Sequence, residues 1–274
     1  MNLHVTILTG ASEGIGAELA RQLARPGAHS QGRPVALVLA ARNVEKLQAV
    51  ARACEALGAT VLVRPTDVSV EADCRGLIAD SMTRFGRIDT LVNNAGMSAH
   101  AELAEVSDMG WYEDLMRLNL WGSAWCTHAA LPHLKASRGL IVAVSSLAGL
   151  VGVPGRTAYA ATKFAMNGFF ESLRVELLPF GVGVTLAYPG VVATEIRRRG
   201  YNAEGKAAGK SGLNEVGAMP VATCASLIVR GMGRRQRDIV MSFKGKLSRW
   251  MKLLAPALVD RMALAALQKD ERAH

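Results

Sequence analysis

Residues 5–24, VTILTGASEGIGAELARQLA, leave a chain few ways to fold. Val5–Thr9 is an apolar, β-branched run, the pattern of a strand covered on both faces. Gly10, Gly14 and Gly16 follow, and Ile15, Leu19 and Leu23 then recur at helical spacing. A buried strand that passes through a glycine turn into a helix opens a β-α unit. Glycines let the main chain approach a bound anion closely, and the first N–H groups of the helix offer that anion unpaired donors and partial positive charge. The segment predicts an α/β fold with a phosphate-binding turn after its first strand.

The same alternation continues downstream. Strand-like runs fall at Val5–Thr9, Val35–Ala41, Thr60–Pro65, Thr90–Asn93, Leu140–Ser145, Val182–Ala187 and Ile239–Phe243. Helix-like runs fall at Val44–Leu57, Glu71–Phe85, Trp111–Lys135, Thr157–Leu178 and Val221–Met232. The 274 residues suit a single domain that buries roughly three quarters of its unfolded surface. The predicted architecture is one doubly wound parallel sheet flanked by helices, with ligands outside the carboxyl ends of the strands. Residues 1–245 form that domain, and 246–274 are a basic amphipathic extension packed on or beside it. There is no repeat, low-complexity tract or Pro/Ser-rich linker; RPGAHSQGRP before the second strand reads as a surface loop.

Tyr159 and Lys163, in GRTAYAATKF, stand four apart and share one helix face. A lysine ammonium beside a phenol favours the phenolate, which makes tyrosine a usable general acid/base. Ser146, thirteen residues upstream of the tyrosine, supplies a hydroxyl to hold a carbonyl oxygen as charge develops on it. Strand alternation turns the adjacent Ser145 to the opposite face, in a structural role.

Together these motifs resemble the short-chain dehydrogenase/reductase family, from about Leu3 to Ser242, nearest in style to its lipid and steroid ketone reductases. The family's Thr-Gly-x-x-x-Gly-x-Gly turn is met by Thr9, Gly10, Gly14 and Gly16, which implies cofactor contacts at Ser12, Glu13 and Ile15 as well. Asp67–Val68 is similar to the family's adenine contact, and NNAG, with Asn94, Ala95 and Gly96, to the turn after the fourth strand. Asn119 in RLNLWGS corresponds to the asparagine that completes a tetrad with Ser146, Tyr159 and Lys163. YPGVVAT resembles the stretch that packs on the nicotinamide, with Pro189, Gly190, Val192 and Thr194 as its contacts. The resemblance implies a Rossmann-type fold. It also implies hydride transfer from the nicotinamide to a carbonyl carbon, with Tyr159 protonating the oxygen, Lys163 holding the nicotinamide ribose and Asn119 supporting a water-linked proton path to Lys163. It suggests a homodimer or homotetramer built through the helices of Asn119 and Tyr159.

Cofactor choice is read from LVLAARNVEKL at the end of the second strand. An acidic residue there would hold both ribose hydroxyls of NAD, whereas an arginine accommodates a 2′-phosphate. This chain has Ala41 in the acidic slot, then Arg42 and Asn43, which favours NADP(H) over NAD(H). Glu13 departs from the pattern, because many NADP-preferring relatives carry a basic residue in the glycine turn. The expected function is NADP(H)-dependent reduction of an apolar, lipid-like ketone to an alcohol. The alternatives are a 3-oxoacyl-type or steroid dehydrogenase using NAD(H), and a non-catalytic NADP-binding interaction module.

Charge separates the end of the chain from the rest. Of 32 basic and 23 acidic residues, 16 basic and 6 acidic lie in 196–274, so the first 195 residues are near neutral. Leu247, Trp250, Met251, Leu254 and Leu258 form an apolar stripe within this basic region, interrupted by Pro256. A basic, tryptophan-bearing amphipathic segment of this kind, Lys246 to Leu267, is expected to make peripheral contact with an anionic membrane or to close over the pocket. Residues 195–215, with glycines at 200, 205, 209 and 212, read as a mobile substrate lid; Tyr201 and the loop 147–154 are candidate pocket walls. Cys54, Cys74, Cys126 and Cys224 and the six histidines show no ligand spacing, so no metal is expected. No nucleic-acid recognition motif accompanies the positive charge. The first strand begins almost at once and no run reaches the roughly 18 apolar residues of a spanning helix, which predicts a soluble, cytoplasmic setting, with the tail at most peripheral to a membrane.

Overall fold

The computed structural model describes residues 3–211, 215 and 217–271, with side chains described as far as Ala265. Seven strands form one all-parallel sheet in the order β3-β2-β1-β4-β5-β6-β7: β1 His4–Thr9, β2 Val35–Ala41, β3 Thr60–Pro65, β4 Thr90–Asn93, β5 Leu140–Val144, β6 Gly183–Tyr188 and β7 Asp238–Val240. β1, β2, β4 and β5 are buried along their whole length, as strands covered on both faces are, with His4, Thr6, Thr9, Thr90 and Asn93 buried among the apolar residues. β3 lies at an edge, is only partly buried and ends at Pro65, which has no N–H to donate to a further neighbour.

Helices cover both faces. On one, α1 Gly14–Leu23, α2 Val44–Ala56 and α8 Val221–Gly233 bury Leu19, Leu23, Leu47, Val50, Ile228 and Met232 against the sheet. On the other, α3 Glu71–Phe85, α5 Gly122–Ser137 and α6 Thr157–Leu177 bury Leu77, Ile78, Leu134, Phe170 and Leu173. Strand order reverses between β1 and β4, and this switch point opens the crevice in which an open α/β sheet binds its ligands.

Three expectations about elements need correction. The single helix over Trp111–Lys135 is α4 Gly110–Met116 and α5, joined by a π-helical turn at Arg117–Trp121 that contains Asn119. The last strand stops at Val240; Phe243 begins helix α9 Phe243–Leu254 and is exposed, because Ser242 caps that helix by accepting from Gly245 N at 3.0 Å. The loop before β2 runs over the surface but buries Ser30, and Arg33 at its end pairs with Asp89 at 3.0 Å. α9 is followed by α10 Pro256–Glu271.

Candidate active site

The turns at the carboxyl ends of β1 to β6 surround a groove of about 330 Å³. Thr9 and Asn94 staple the switch point. Thr9 Oγ1 accepts from Asn94 N and Ala95 N, both at 3.0 Å, while Asn94 Nδ2 donates to Thr9 O at 3.0 Å and Gly10 O at 3.2 Å. Asn94 therefore spends its amide on the scaffold. α1 enters so close to the turn that a Cβ on Gly16 would overlap the Gly10 carbonyl oxygen. That closeness leaves the main chain of residues 12–16 bare to the groove, the kind of backbone turn whose size and N–H donors suit a pyrophosphate. All nineteen cofactor residues named from the sequence line the groove, as does Ser146.

The residues read as catalytic from the sequence gather at the other end. α6 starts at Thr157 and carries Tyr159 and Lys163, both nearly buried. Lys163 Nζ lies 5.7 Å from the Tyr159 ring centroid and donates to Val144 O, the last residue of β5, at 3.0 Å. Burial holds the Lys163 pKa below the ordinary lysine value, against the opposing pull of Tyr159. Ser146 Oγ accepts from Ala148 N at 3.2 Å, which orients the hydroxyl at the foot of the loop. Ser145 also borders the groove, but its hydroxyl is spent on the scaffold: it donates to Asn167 Oδ1 at 2.7 Å, and Asn167 Nδ2 in turn holds Gly149 O at 2.8 Å. Asn119 is fully buried and does not line the groove. Its Oδ1 accepts from Met97 N at 2.8 Å, and its Nδ2 donates to Met97 O and Thr162 Oγ1, both at 3.0 Å. It joins the β4 turn to the Tyr159 helix from inside a π turn, an irregularity common at functional positions.

Several groove residues escaped the sequence reading. Arg156 is buried, its guanidinium 4.3 Å from the Tyr159 ring centroid and bonded to Ser98 Oγ at 2.5 Å. Burial lowers its pKa, although Tyr159 pulls it up. It is the residue at the N-cap of α6, just before the helix that carries Tyr159, and no local sequence pattern singles it out. At the opposite end, Asn43 caps α2 by accepting from Lys46 N at 2.9 Å, which brings Lys46 onto the groove beside Arg42. Arg42 reaches Asp67 at 3.9 Å. Lys46 pairs with Glu13 at 3.1 Å, and Arg199 closes on the same carboxylate from the other side. Arg199 belongs to the short helix α7 Ile196–Arg199 after β6, and nothing local in the sequence distinguished it from its basic neighbours.

The segment read as a lid does lie over the groove, through Ile196, Arg197 and Arg199. It is tied down by Arg197, which donates to Val192 O at 2.9 Å, and by Tyr201, whose N–H donates to Ser98 O at 3.0 Å, and it is closed on itself by the Arg197–Glu215 pair at 2.8 Å. Tyr201 packs on Trp111, ring centroids 5.6 Å apart, and is not itself a wall of the groove. Gly212 and the rest of 212–214 lie outside the described residues. Among the described residues no group of histidine, cysteine and carboxylate side chains is placed to hold a metal. All four cysteines are buried, and burial pushes the Cys54 thiol up to about 11 and Cys224 to about 12, far from thiolate chemistry.

A dinucleotide cradle that ends on a Ser, Tyr and Lys cluster defines an oxidoreductase of the nicotinamide-dependent α/β class. The sequence profile of the family described as short chain dehydrogenase matches residues 4–205, and the chain belongs to the short-chain dehydrogenase/reductase family. It is an oxidoreductase acting on CH–OH groups. Among its relatives, 11-beta-hydroxysteroid dehydrogenase-like 4A of Arabidopsis thaliana is 38% identical over 261 residues, 94% of this chain and 83% of that protein. 11-beta-hydroxysteroid dehydrogenase A of Sesamum indicum is 37% identical, covering 93% of this chain and 73% of that one. Among solved structures, a metagenomic short-chain oxidoreductase in complex with NADP superposes with a TM-score of 0.70 at 30% identity, over 87% of this chain and 96% of that one. The alcohol dehydrogenase of Thermococcus sibiricus, complexed with 5-hydroxy-NADP, gives 0.71 at 27% identity, over 83% and 89%.

Proposed function

We propose that the protein interconverts a ketone and an alcohol on an apolar, steroid-like substrate with NADP(H), and that reduction is the working direction. The observation that carries this reading is the apolar wall around Tyr159. Met97, Leu118, Val192 and Ile196 line the groove with it, and behind Tyr159 an apolar cluster of Trp111, Leu115, Ala148 and Ala158 is buried. A polar substrate would be left unsatisfied on such a wall, whereas a ring system buries its surface there. The names of the relatives point to the same substrate class.

The residues fit a nicotinamide dinucleotide: the 10–16 turn for the pyrophosphate, Asp67 and Val68 for the adenine, Lys163 for the nicotinamide ribose, and Pro189, Gly190, Val192 and Thr194 for the nicotinamide. When bound, that group supplies the hydride. Tyr159 gives its phenolic proton to the substrate oxygen, and Lys163 stabilises the phenolate left behind. Ser146 holds the oxygen within reach. Asn119 keeps the β4 turn and α6 in register, so that Gly96 and Lys163 stay at the groove. Preference for NADP(H) rests on Ala41, which offers no carboxylate to a ribose, and on Arg42, Lys46 and Arg199 gathered at the same end.

The test is NADPH- and NADH-linked turnover across steroid, retinoid and sphingoid ketones and short polar keto acids. Turnover of only the polar substrates would end the apolar reading. Ala41→Asp and Arg42→Ala should each move preference toward NADH. The expected oligomer through α5 and α6 is part of the proposal, supported by Phe164 and Val175, both exposed on one face of α6. Light scattering of the wild type against Val175→Arg checks it, and a monomeric wild type would refute it.

A further inference from the structure

The apolar stripe of the C-terminal extension faces away from the domain. At about 100° per residue, Phe243, Leu247, Trp250 and Leu254 fall within one narrow sector of α9. All four are exposed, Trp250 by 65% and Leu254 by 85%. The opposite sector is the one that docks. A Cβ on Gly245 would stand 2.6 Å from Leu147 Cδ2, Arg249 pairs with Asp238 at 2.9 Å, and Lys252 Nζ donates to Leu150 O at 3.1 Å. Lys244 and Lys246, both exposed, flank the stripe on its two sides. Leu258 and Met262 continue exposed apolar surface onto α10.

A row of large apolar side chains held out in water marks a surface with an occupant. Charge decides between the candidates. Lys244 and Lys246 flank the stripe and α9 carries no acidic residue, so a second copy of the stripe would bring like charges together around the contact. An anionic lipid leaflet complements the same pattern, and tryptophan favours the boundary between headgroups and acyl chains. No described helix is long and apolar enough to cross a membrane, so the helix would lie in the surface plane.

We propose that α9 docks the protein on an anionic lipid surface, with Phe243, Leu247, Trp250 and Leu254 inserted and Lys244 and Lys246 among the headgroups. Leu147, which α9 covers through Gly245, directly follows Ser146, so docking brings the substrate end of the groove to the lipid. The inference does not depend on the substrate reading.

The test is co-sedimentation of the full chain with phosphatidylcholine vesicles, with and without phosphatidylserine, in low and high salt. Binding is expected only to the anionic vesicles, with a blue shift of tryptophan emission, and with release near 1 M salt, where screening falls to about 3 Å. Lys244→Gln with Lys246→Gln should weaken partitioning about 25-fold, roughly fivefold per lysine. Leu247→Gln with Trp250→Gln should abolish it. All four positions are exposed and outside the groove, so unchanged thermal melting checks that the fold survives. Absence of sedimentation at low salt, or equal binding to both vesicle types, overturns the proposal. A dimer in solution that Leu247→Gln with Trp250→Gln dissolves would assign the stripe to a second copy and overturn it too.

Discussion

Neutralising the glycine-turn carboxylate, as Glu13→Gln, is expected to tighten NADPH and leave NADH nearly unchanged. Glu13 precedes α1 but makes no capping bond with its side chain; its carboxylate instead draws Lys46 and Arg199 together over the end of the groove where Arg42 lies. A 2′-phosphate bound by Lys46 would share that ammonium with the carboxylate, which puts the phosphorus about 6 Å from Glu13. For a dianion at that distance the repulsion is about 1.4 kcal/mol in a water-like dielectric, and about half that after screening at physiological ionic strength. The water-like value is appropriate because the side chains of Lys46 and Arg199 are each more than half exposed. Removing the charge should therefore lower the NADPH Kd roughly 3- to 10-fold, more at low salt than at high. The assay is titration of cofactor fluorescence at two salt concentrations for both nucleotides. If Glu13→Gln weakened NADPH, or tightened both cofactors equally at both salts, the carboxylate would be holding the turn together and the electrostatic argument would fail.

Tyr159→Phe should reduce kcat by about 10²–10⁴ while NADPH binding persists, and Lys163→Ala should impair both; a phenylalanine enzyme with substantial turnover would displace the tyrosine from its role. Gly96→Ala places a methyl 3.1 Å from Asn119 Oδ1 and 3.7 Å from Lys163 Nζ, so it should cost about 1–3 kcal/mol in urea unfolding and lower kcat more than it raises KM. His4 is held neutral: its Nδ1 accepts from Arg33 at 2.8 Å, and burial lowers its pKa from 6.5 to about 4 against the pull of Asp89. Between those values the unfolded chain binds a proton that the folded chain refuses, so stability should fall by about 3 kcal/mol as pH drops from 6.5 to 4. His4→Gln should remove that part of the slope in denaturant titrations, and an unchanged slope would refute the assignment.

What the sequence disclosed and what it hid divide along the range of the interactions involved. Val5–Thr9, Gly10–Gly16 and Tyr159–Lys163 were legible because strand burial, turn geometry and i,i+4 spacing are settled within a few residues of chain. β2 begins directly after Pro34, β3 begins two residues after Gly58 and ends at Pro65, and β4 begins directly after Asp89, for the same reason. β7 ended early because Ser242 offers a helix cap that outweighs the β-propensity of Met241 and Phe243. The π turn at Asn119 was not legible. Its amide needs both the Met97 peptide and Thr162, and the helix adds a residue to its turn to reach them.

The phosphate end shows the limit most clearly. Glu13, Lys46 and Arg199 come from the first turn, the second helix and the segment after β6, and only the parallel sheet, by lining up the carboxyl ends of β1, β2 and β6, brings them into contact. In the sequence, Glu13 counts against NADP and Arg199 counts as one more charge in a basic tail. In the fold, the two neutralise each other, and the balance of Arg42, Lys46 and Arg199 against Glu13 and Asp67 leaves the site positive. A carboxylate in the glycine turn is then compatible with a phosphorylated ribose, provided that a cation from the far side of the groove is there to share it.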